Sequence, residues 1–416
     1  VTFDHGVQNE IVTVAGITNF YNVHIGANTT IEPVTGCVFR IAGAATGTPP
    51  TSRANWAVEN STVEWNGANQ TINNPIGLGG LSGYYNLILS GSGTKTMPSS
   101  DLSILGDFTI QGTASATAAS DMNIRGDFVI GENSTFSTGT NDHTIGGDFD
   151  NEGTYNAASG TLITLDGNTS QSVLGDSNTS FEKLTIANAA GVELNSDIVI
   201  NGTLTLSDGI FDVGSNLLTL NENVTRTSGQ IEVNPLSSLS FGGTAALSIS
   251  GDLFSTTPSI NNMTVNRTGG VVINTDLTVN GALNLTGANP ASGIIGSLDM
   301  GTDTLFMAEN AITTGAGDVT GIVKRTAILP GVEYSFGSQY TTVTFLDIGT
   351  LPYEIAVKTT IGNAPAWKTD AVERYFELVQ KGASETRAVI KGHYLDSELN
   401  ENVEEDLVDY TYTKPL

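Results

Sequence analysis

The sequence predicts an all-β protein in which a β-solenoid (β-helix) of stacked rungs, each about 20 residues long, precedes a C-terminal β-sandwich. Three observations support this fold class. A short frame with a central Gly-Asp-Phe recurs at intervals typical of stacked repeats, and a larger repeat encloses it. Runs with helical periodicity are nearly absent, since only SELNENVEEDLVDY at residues 397–410 has that pattern. We therefore assign residues 1–320 to the solenoid and residues 321–416 to the sandwich and an acidic C-terminal segment.

The short frame occurs three times and marks successive turns of the solenoid. Stacked rungs place like residues over like, so we expect the turn glycines of the three copies to lie in one file along a common axis. The middle copy contains Arg-Gly-Asp, the tripeptide known for binding integrins. Because Arg125 is replaced by Leu or Gly in the other copies, we interpret it as a variable residue of a repeated turn. The copies are DLSILGDFTI (101–110), DMNIRGDFVI (121–130) and DHTIGGDFDN (142–151), with turn glycines Gly106, Gly126 and Gly147.

The larger repeat has four diverged copies, which start near residues 1, 62, 162 and 238. Each copy begins with an alternating strand that ends in Gly, and three copies continue with a strand that contains Gln (QNEIV, QTI and QSV). The next strand is FYNVHI, YYNLIL, FEKLTI or INNMTV. In the last three copies a Gly follows the start of that strand by 21 or 22 residues. These glycines predict structural turns at Gly106, Gly202 and Gly281.

Each strand alternates apolar and polar residues, so one face is buried. In DIVINGTLTL (197–206), Ile198 and Ile200 share one parity, and Leu204 and Leu206 continue the inward row after the turn. One rung alone buries too little apolar surface to offset the conformational entropy of ordering it. We therefore expect a rung to be stable only when it is stacked on others.

The texture of the sequence changes near residue 321. Nine of the 16 Lys and Arg residues lie in residues 321–416. The strands predicted there are longer, carry mixed charges and lack the short period. This pattern predicts a compact antiparallel β-sandwich of immunoglobulin-like type.

Composition excludes several classes of function. The net charge of −27 argues against nucleic-acid binding, which requires clustered Lys and Arg. No run of 18 apolar residues occurs, so no membrane span is predicted. Cys37 is the only cysteine and cannot form an intrachain disulfide, and we expect it to be a small core residue. The chain begins at Val1 in a strand-like pattern, which we interpret as a mature or excised product.

Three stretches together carry a family resemblance: VTFDHG…Q…FYNVHI, INGTLTLSDGIFDVGSNLLTL (200–220) and VKR…YSFG…W…ERYFEL. They resemble large secreted surface proteins of Bacteroidota-type bacteria that are exported through type IX secretion. The resemblance implies a β-solenoid stalk, a following immunoglobulin-like module and an extracellular or cell-surface location. The C-terminal sorting domain of that family has no visible counterpart in the sequence. The resemblance supplies no ligand-binding residue.

A polysaccharide-degrading β-helix enzyme is one alternative, and the sequence does not favour it. Asn-Thr-Asp at residues 274–276 occurs in a glycosidase signature of that fold. However, Asn-Ser-Asp at 195–197 and Ser-Ser-Asp at 99–101 fill the same repeat position, which indicates a turn. A lyase also needs a basic residue near its reacting group, and the few basic residues of the solenoid are scattered over different repeats. We therefore predict a protein that is not an enzyme.

No cofactor is predicted, and calcium is the one metal with a candidate site. Stacking would place the carboxylates of Asp107, Asp127 and Asp148 above one another. Such a column repels itself unless it is solvated, protonated or bridged by a hard cation. We interpret the three residues first as solvated turn residues, with a calcium site as the alternative. The four histidines lack the spacing of a zinc site, and His143 is expected to pack at the edge of a rung.

These observations predict a non-enzymatic extracellular structural protein, a rigid spacer or a subunit of a cell-surface layer, matrix or filament. Its expected partners are other copies of itself, other cell-surface proteins and glycans. End-to-end polymerisation is a sharper hypothesis, motivated by the absence of a polar cap at Val1. A surface adhesin that binds glycan or a host protein is the principal alternative.

Overall fold

The computed structural model describes residues 1–3, 10–26, 29–47, 58–75, 83–176, 179–287 and 298–408. It confirms the all-β class, with 50% strand and 2% helix, and shows a β-solenoid of about 13 turns and C-terminal antiparallel strands that fit a β-sandwich. The chain divides into two compact units, Val1–Glu232 and Val233–Leu416.

In the described residues of the first unit, the secondary structure consists of short strands. In chain order they are β1 (Thr2–Phe3), β2 (Glu10–Val14), β3 (Ile17–Phe20), β4 (Val23–Ile25), β5 (Thr29–Pro33), β6 (Val38–Ile41), β7 (Ala45–Gly47), β8 (Thr62–Trp65), β9 (Gln70–Thr71), β10 (Asn86–Leu89), β11 (Ser92–Thr96), β12 (Leu102–Ile104), β13 (Phe108–Ile110), β14 (Thr113–Thr117), β15 (Met122–Ile124), β16 (Phe128–Ile130), β17 (Thr135–Ser137), β18 (His143–Ile145), β19 (Phe149–Asn151), β20 (Thr154–Asn156), β21 (Leu162–Leu165), β22 (Gln171–Leu174), β23 (Thr179–Phe181), β24 (Lys183–Ala187), β25 (Val192–Leu194), β26 (Ile198–Ile200), β27 (Leu204–Asp208), β28 (Ile210–Asp212), β29 (Leu217–Leu220), β30 (Val224–Arg226) and β31 (Gln230–Glu232).

The strands of the first unit stack into long parallel sheets. One sheet has eleven strands, in the order β3, β6, β8, β10, β13, β16, β19, β22, β25, β28 and β31. Ten inter-strand intervals of about 4.8 Å make this sheet about 48 Å long. A second sheet runs from β12 through β15, β18, β21, β24 and β27 to β30. Because successive neighbours are consecutive rungs, each side chain lies above its counterpart in the rung before.

The core of the first unit consists of such columns. On the second sheet, one inward column is formed by residues that pair in register from rung to rung and are each at most 1% exposed. Phe108, Phe128 and Phe149 form another column, with ring centroids 5.2 and 5.4 Å apart. The sequence predicted this alternation and its inward parity. The members of the first column are Ile104, Ile124, Ile145, Leu165, Ile186 and Leu206.

The second unit contains rungs and antiparallel strands. In chain order its strands are β32 (Ser238–Phe241), β33 (Leu247–Ser250), β34 (Ser259–Ile260), β35 (Asn262–Val265), β36 (Val271–Asn274), β37 (Leu277–Val279), β38 (Ala282–Leu285), β39 (Leu298–Met307), β40 (Ile312–Thr314), β41 (Val319–Thr326), β42 (Glu333–Ser335), β43 (Thr342–Phe345), β44 (Glu354–Ile361), β45 (Arg374–Lys381) and β46 (Ala388–Lys391). Short 3₁₀ helices cover Gly251–Leu253, Asp396–Glu398 and Glu404–Asp406.

Strand β41 is where the pairing changes from parallel to antiparallel. It pairs in parallel with β39 and antiparallel with β44, which in turn pairs antiparallel with β45. A separate sheet joins β42, β43 and β46, again antiparallel. This change falls where the sequence texture changes, near residue 321. The division into domains at residues 320 and 321 stays a prediction, since the compact units divide after Glu232.

All four copies of the larger repeat share one pairing. In each copy, the opening strand that ends in Gly pairs in parallel with the strand that contains FYNVHI, YYNLIL, FEKLTI or INNMTV. The helical pattern of residues 397–410 does not form an α-helix in its described part, which holds only the last two 3₁₀ turns. Residues 409–410 lie outside the described residues.

Candidate functional site

The Asp column of the short repeat is a ladder of hydrogen bonds. The carboxylate of Asp107 accepts the backbone N–H of Asp127 at 3.0 Å, and that of Asp127 accepts the N–H of Asp148 at 2.8 Å. The ladder continues at both ends, because Asn86 Oδ1 accepts the Asp107 N–H at 2.9 Å and Asp148 Oδ1 accepts the Ser172 N–H at 2.7 Å. We call Asn86, Asp107, Asp127 and Asp148 the Asx ladder.

The turn glycines lie in one file beside the Asx ladder. The Gly126 N–H donates to the Gly106 carbonyl and the Gly147 N–H to the Gly126 carbonyl, each at 2.9 Å. A Cβ on Gly126 would collide with the carboxylate of Asp107, and one on Gly147 with that of Asp127. The Gly-Asp pair is therefore one device: the glycine leaves room for the carboxylate below it, and that carboxylate satisfies a turn N–H.

The same rung-to-rung bond recurs at other positions, both within the short repeat and outside it. Asp142 accepts the Leu162 N–H at 2.9 Å, and Asn262 accepts the Ala282 N–H at 2.9 Å. Gly281 directly precedes Ala282, and a Cβ on Gly281 would lie 2.6 Å from the same Asn262 Oδ1. At Gly202, the other predicted turn glycine, a Cβ would instead lie 2.5 Å from the Glu182 carbonyl oxygen.

The Asn-Thr-Asp and Asn-Ser-Asp strings also carry this bond. Asp276 accepts the Thr304 N–H, and Asp197 accepts the Leu217 N–H, each at 2.8 Å. Both aspartates therefore have the structural role that the repeat predicted for a turn.

In two copies of the larger repeat, the Gln side chain binds backbone groups where the chain turns between strands. We call the group of contacts around each Gln a corner. Gln70 Nε2 donates to the Ile41 carbonyl at 2.8 Å and to the Gly43 carbonyl at 2.9 Å, while its Oε1 accepts the Gly67 N–H at 2.8 Å. Three contacts thus join one side chain to the preceding rung and to its own turn.

Gln171 repeats this arrangement. Its Nε2 donates to the Ile145 carbonyl at 3.0 Å and to the Gly147 carbonyl, and its Oε1 accepts the Gly167 N–H at 2.8 Å. The sequence analysis identified the recurring Gln but assigned it no role, and its fixed place after a Gly-ending strand is the signal that could have found it. Gln8, the equivalent residue of the first copy, lies outside the described residues.

A buried polar side chain from a later strand completes each corner. Lys95 is fully buried, and its Nζ donates to the Gly67 carbonyl at 2.7 Å, to the Ala68 carbonyl at 3.1 Å and to Gln70 Oε1 at 2.7 Å. Burial lowers the pKa of Lys95 to about 8. Asn188 Nδ2 plays the same part toward Gln171 Oε1, at 2.9 Å.

In the second unit a buried arginine, Arg267, occupies the repeat position of Asn188. Arg267 donates to the carbonyls of Gly242 and Ala245, and it too is fully buried. Sequence reasoning treated Lys95 and Arg267 as scattered basic residues. Lys95 lies at the inward position of β11, where an apolar residue is expected, and this is the signal that could have found it. Arg267 follows β35, so strand alternation gives no such signal for it.

A second polar cluster lies among the antiparallel strands. Arg374 pairs with Asp318 at 2.9 Å and with Glu398 at 2.7 Å, and all three side chains are at most 7% exposed. His393 Nε2 lies 3.5 Å from Asp318 Oδ1. Burial alone would raise the pKa of Asp318, but His393 and Arg374 hold it below its ordinary value. We call Asp318, Arg374 and Glu398 the arginine lock, because it joins residues far apart in sequence.

The remaining candidate residues have ordinary surroundings. His143 is buried in the inward row, where Nε2 lies 3.1 Å from the Thr138 carbonyl, and burial lowers its pKa. Cys37 is 1% exposed and free, and burial raises its pKa. In the Arg-Gly-Asp tripeptide, Arg125 is exposed while the Asp127 carboxylate is engaged in the Asx ladder.

In the part of the chain that the structure describes, no three His, Cys, Asp or Glu side chains gather in a way that could hold a metal ion. The calcium alternative for Asp107, Asp127 and Asp148 stays a prediction. Among the same residues, no helix has the length and hydropathy of a membrane-spanning segment.

Comparison with known proteins finds no matching family model, no matching curated protein and no matching solved structure.

Proposed function

We propose that this chain is a non-enzymatic extracellular structural protein whose β-solenoid acts as a rigid spacer or a building block of a cell-surface layer, matrix or filament. One observation carries the proposal. The polar side chains at equivalent repeat positions bond to the neighbouring rung, as the Asx ladder and the Gln70 and Gln171 corners do.

Such an arrangement favours stiffness. Each rung is held to the next by parallel strand pairing, by stacked apolar columns and by side-chain bonds at the turns. A local opening must therefore break contacts with two neighbouring rungs at once. This resistance is obtained without a disulfide, since Cys37 is the only cysteine.

End-to-end addition of copies is the finer form of the proposal. Parallel rungs present the same hydrogen-bonding edge at every step, so an edge left open at an end suits another rung. Export by type IX secretion, proposed on the family resemblance, would place the protein where such assemblies form.

The proposal is tested on the producing cell. An antibody against the chain should label the cell surface or an appendage in immunogold electron microscopy, and brief protease treatment of intact cells should remove that label. Labelling confined to the cytoplasm would contradict it.

Two assays on the purified chain distinguish the alternatives. Specific binding on a glycan array would favour the adhesin. Release of reducing sugar from acidic polysaccharides would favour the enzyme.

A further inference from the structure

The second half of strand β45 is an exposed sheet edge. Among the described residues, β45 pairs only with β44. Leu378 and Val379 point to opposite faces and are 40% and 59% exposed, whereas Val357, the register partner of Leu378 on β44, is 1% exposed. An edge with apolar side chains on both faces is a template for an additional strand.

The start of β45 contacts a later segment of the chain, and the next two residues, Tyr375 and Phe376, are half-buried. The Glu373 N–H donates to the Glu398 carbonyl at 2.8 Å, and the arginine lock holds Arg374. The available edge is therefore Glu377–Lys381, and all five of its residues are exposed.

This five-residue edge is complementary to itself. When two copies of Glu377–Lys381 pair antiparallel with Val379 opposite Val379, Glu377 of each copy faces Lys381 of the other. Leu378 then faces Gln380. Centring the pair on Glu377 instead would place like charges directly opposite, which is destabilising.

The charges of β44 extend the same pattern. In the β44–β45 register Lys358 faces Glu377 and Glu354 faces Lys381, with Nζ to Oε1 distances of 3.6 and 2.7 Å. A two-fold pair through Val379 would therefore produce a row across four strands that reads Lys358, Glu377, Lys381 of the second copy and Glu354 of the second copy. The charges alternate in sign along the whole row.

Strand β46 provides a comparison, because it is also an exposed edge. Its Val389 and Ile390 are 48% and 56% exposed. However, antiparallel self-pairing centred on Val389 would place Arg387 opposite Lys391. Basic residues flanking an edge are a common protection against strand addition.

We propose that the chain forms a two-fold dimer in which Glu377–Lys381 of one copy pairs antiparallel with the same residues of a second copy. The β44–β45 sheet then continues from one copy into the other. This inference goes beyond the proposed role of the solenoid and does not depend on it.

Sedimentation velocity of the full chain over a wide concentration range tests the dimer. Val379→Lys places like charges at the centre of the pair, so we expect it to weaken dimerisation at least roughly tenfold, equivalent to about 1.4 kcal/mol. Val389→Lys is the matched control on β46 and should leave the dimer unchanged. Both positions are exposed, and thermal melting checks that each variant is folded.

Charge reversal tests the register. Glu377→Lys or Lys381→Glu alone should weaken the dimer. The double variant restores both cross-copy pairs but places like charges opposite each other between β44 and β45, so it should dimerise more tightly than either single variant without reaching the unaltered chain. The dimer is refuted by a monomer at all concentrations or by dimerisation that survives Val379→Lys. Loss of dimerisation in Val389→Lys alone, or single reversals without effect, also refutes it.

Discussion

Polar side chains find their partners differently in the turns of residues 101–151 and in the antiparallel strands of residues 354–391. At the turns, one residue type recurs in register, and each side chain serves the next rung, as Asp107 does for Asp127. Among the antiparallel strands, polar contacts join residues that no repeat relates, as Arg374 and Asp318 show. A stacked fold can thus repeat one hydrogen-bonding arrangement at every rung. The antiparallel strands instead satisfy each buried polar group by a contact that occurs once.

The largest effect on stability is expected from removing the buried ion pairs of the arginine lock. Arg374→Met leaves the buried carboxylates of Asp318 and Glu398 without their cation, which should lower the free energy of unfolding by about 3–5 kcal/mol. Chemical denaturation measures the loss. Lys358→Met is the control, because its pair with Glu377 is exposed and should contribute little. An equal effect of the two substitutions would contradict the importance of the arginine lock.

The next prediction compares the packing of the two regions by the same Leu→Ala change in each. Leu206 is fully buried in an inward column, whereas Leu378 is 40% exposed on β45. Leu206→Ala should cost about 2–5 kcal/mol of unfolding free energy, the range for a buried leucine. Leu378→Ala should cost less than half as much. Denaturant midpoints of both variants, followed by the same spectroscopic signal, make the comparison, and equal losses would show that the two regions do not differ in packing.

The part of the fold that repeats was predictable from the sequence. The Gly-Asp-Phe frame identified the turns, and the alternation identified the inward rows that Ile104 and Ile124 occupy. The arginine lock was not predictable, because its members are 56 and 24 residues apart and no period relates them. Lys95 was missed for a different reason: its role depends on three acceptors that meet only when rungs stack.

The pH dependence of the free energy of unfolding should reveal the contribution of the buried Lys95. Its folded pKa of about 8 lies below the ordinary 10.5. Between these values the unfolded chain binds more protons, so the free energy of unfolding should rise with pH from about 8 to 10, by at most about 1.4 kcal/mol per pH unit. Above pH 10 the buried Tyr84 and Tyr155 oppose this trend, because burial raises their pKa values.

The measurement is the change in unfolding free energy between pH 8 and pH 10 in three proteins. The rise attributable to Lys95 should disappear in Lys95→Met and persist in Lys183→Met, since Lys183 is exposed on β24. If Lys95→Met retained the same rise, the corner would not be its source.

The smallest effect tests a single step of the Asx ladder. Asp127→Ala removes the acceptor of the Asp148 N–H, which should cost about 1 kcal/mol. Asp127→Asn should be nearly neutral, because Asn86 already accepts the equivalent N–H of Asp107 in the same ladder. Repeating both measurements with millimolar calcium separates the two interpretations of the column. If the aspartates are solvated turn residues, calcium should leave the midpoints unchanged. A calcium-dependent rise that Asp127→Asn abolishes would instead show that the carboxylates also hold the cation.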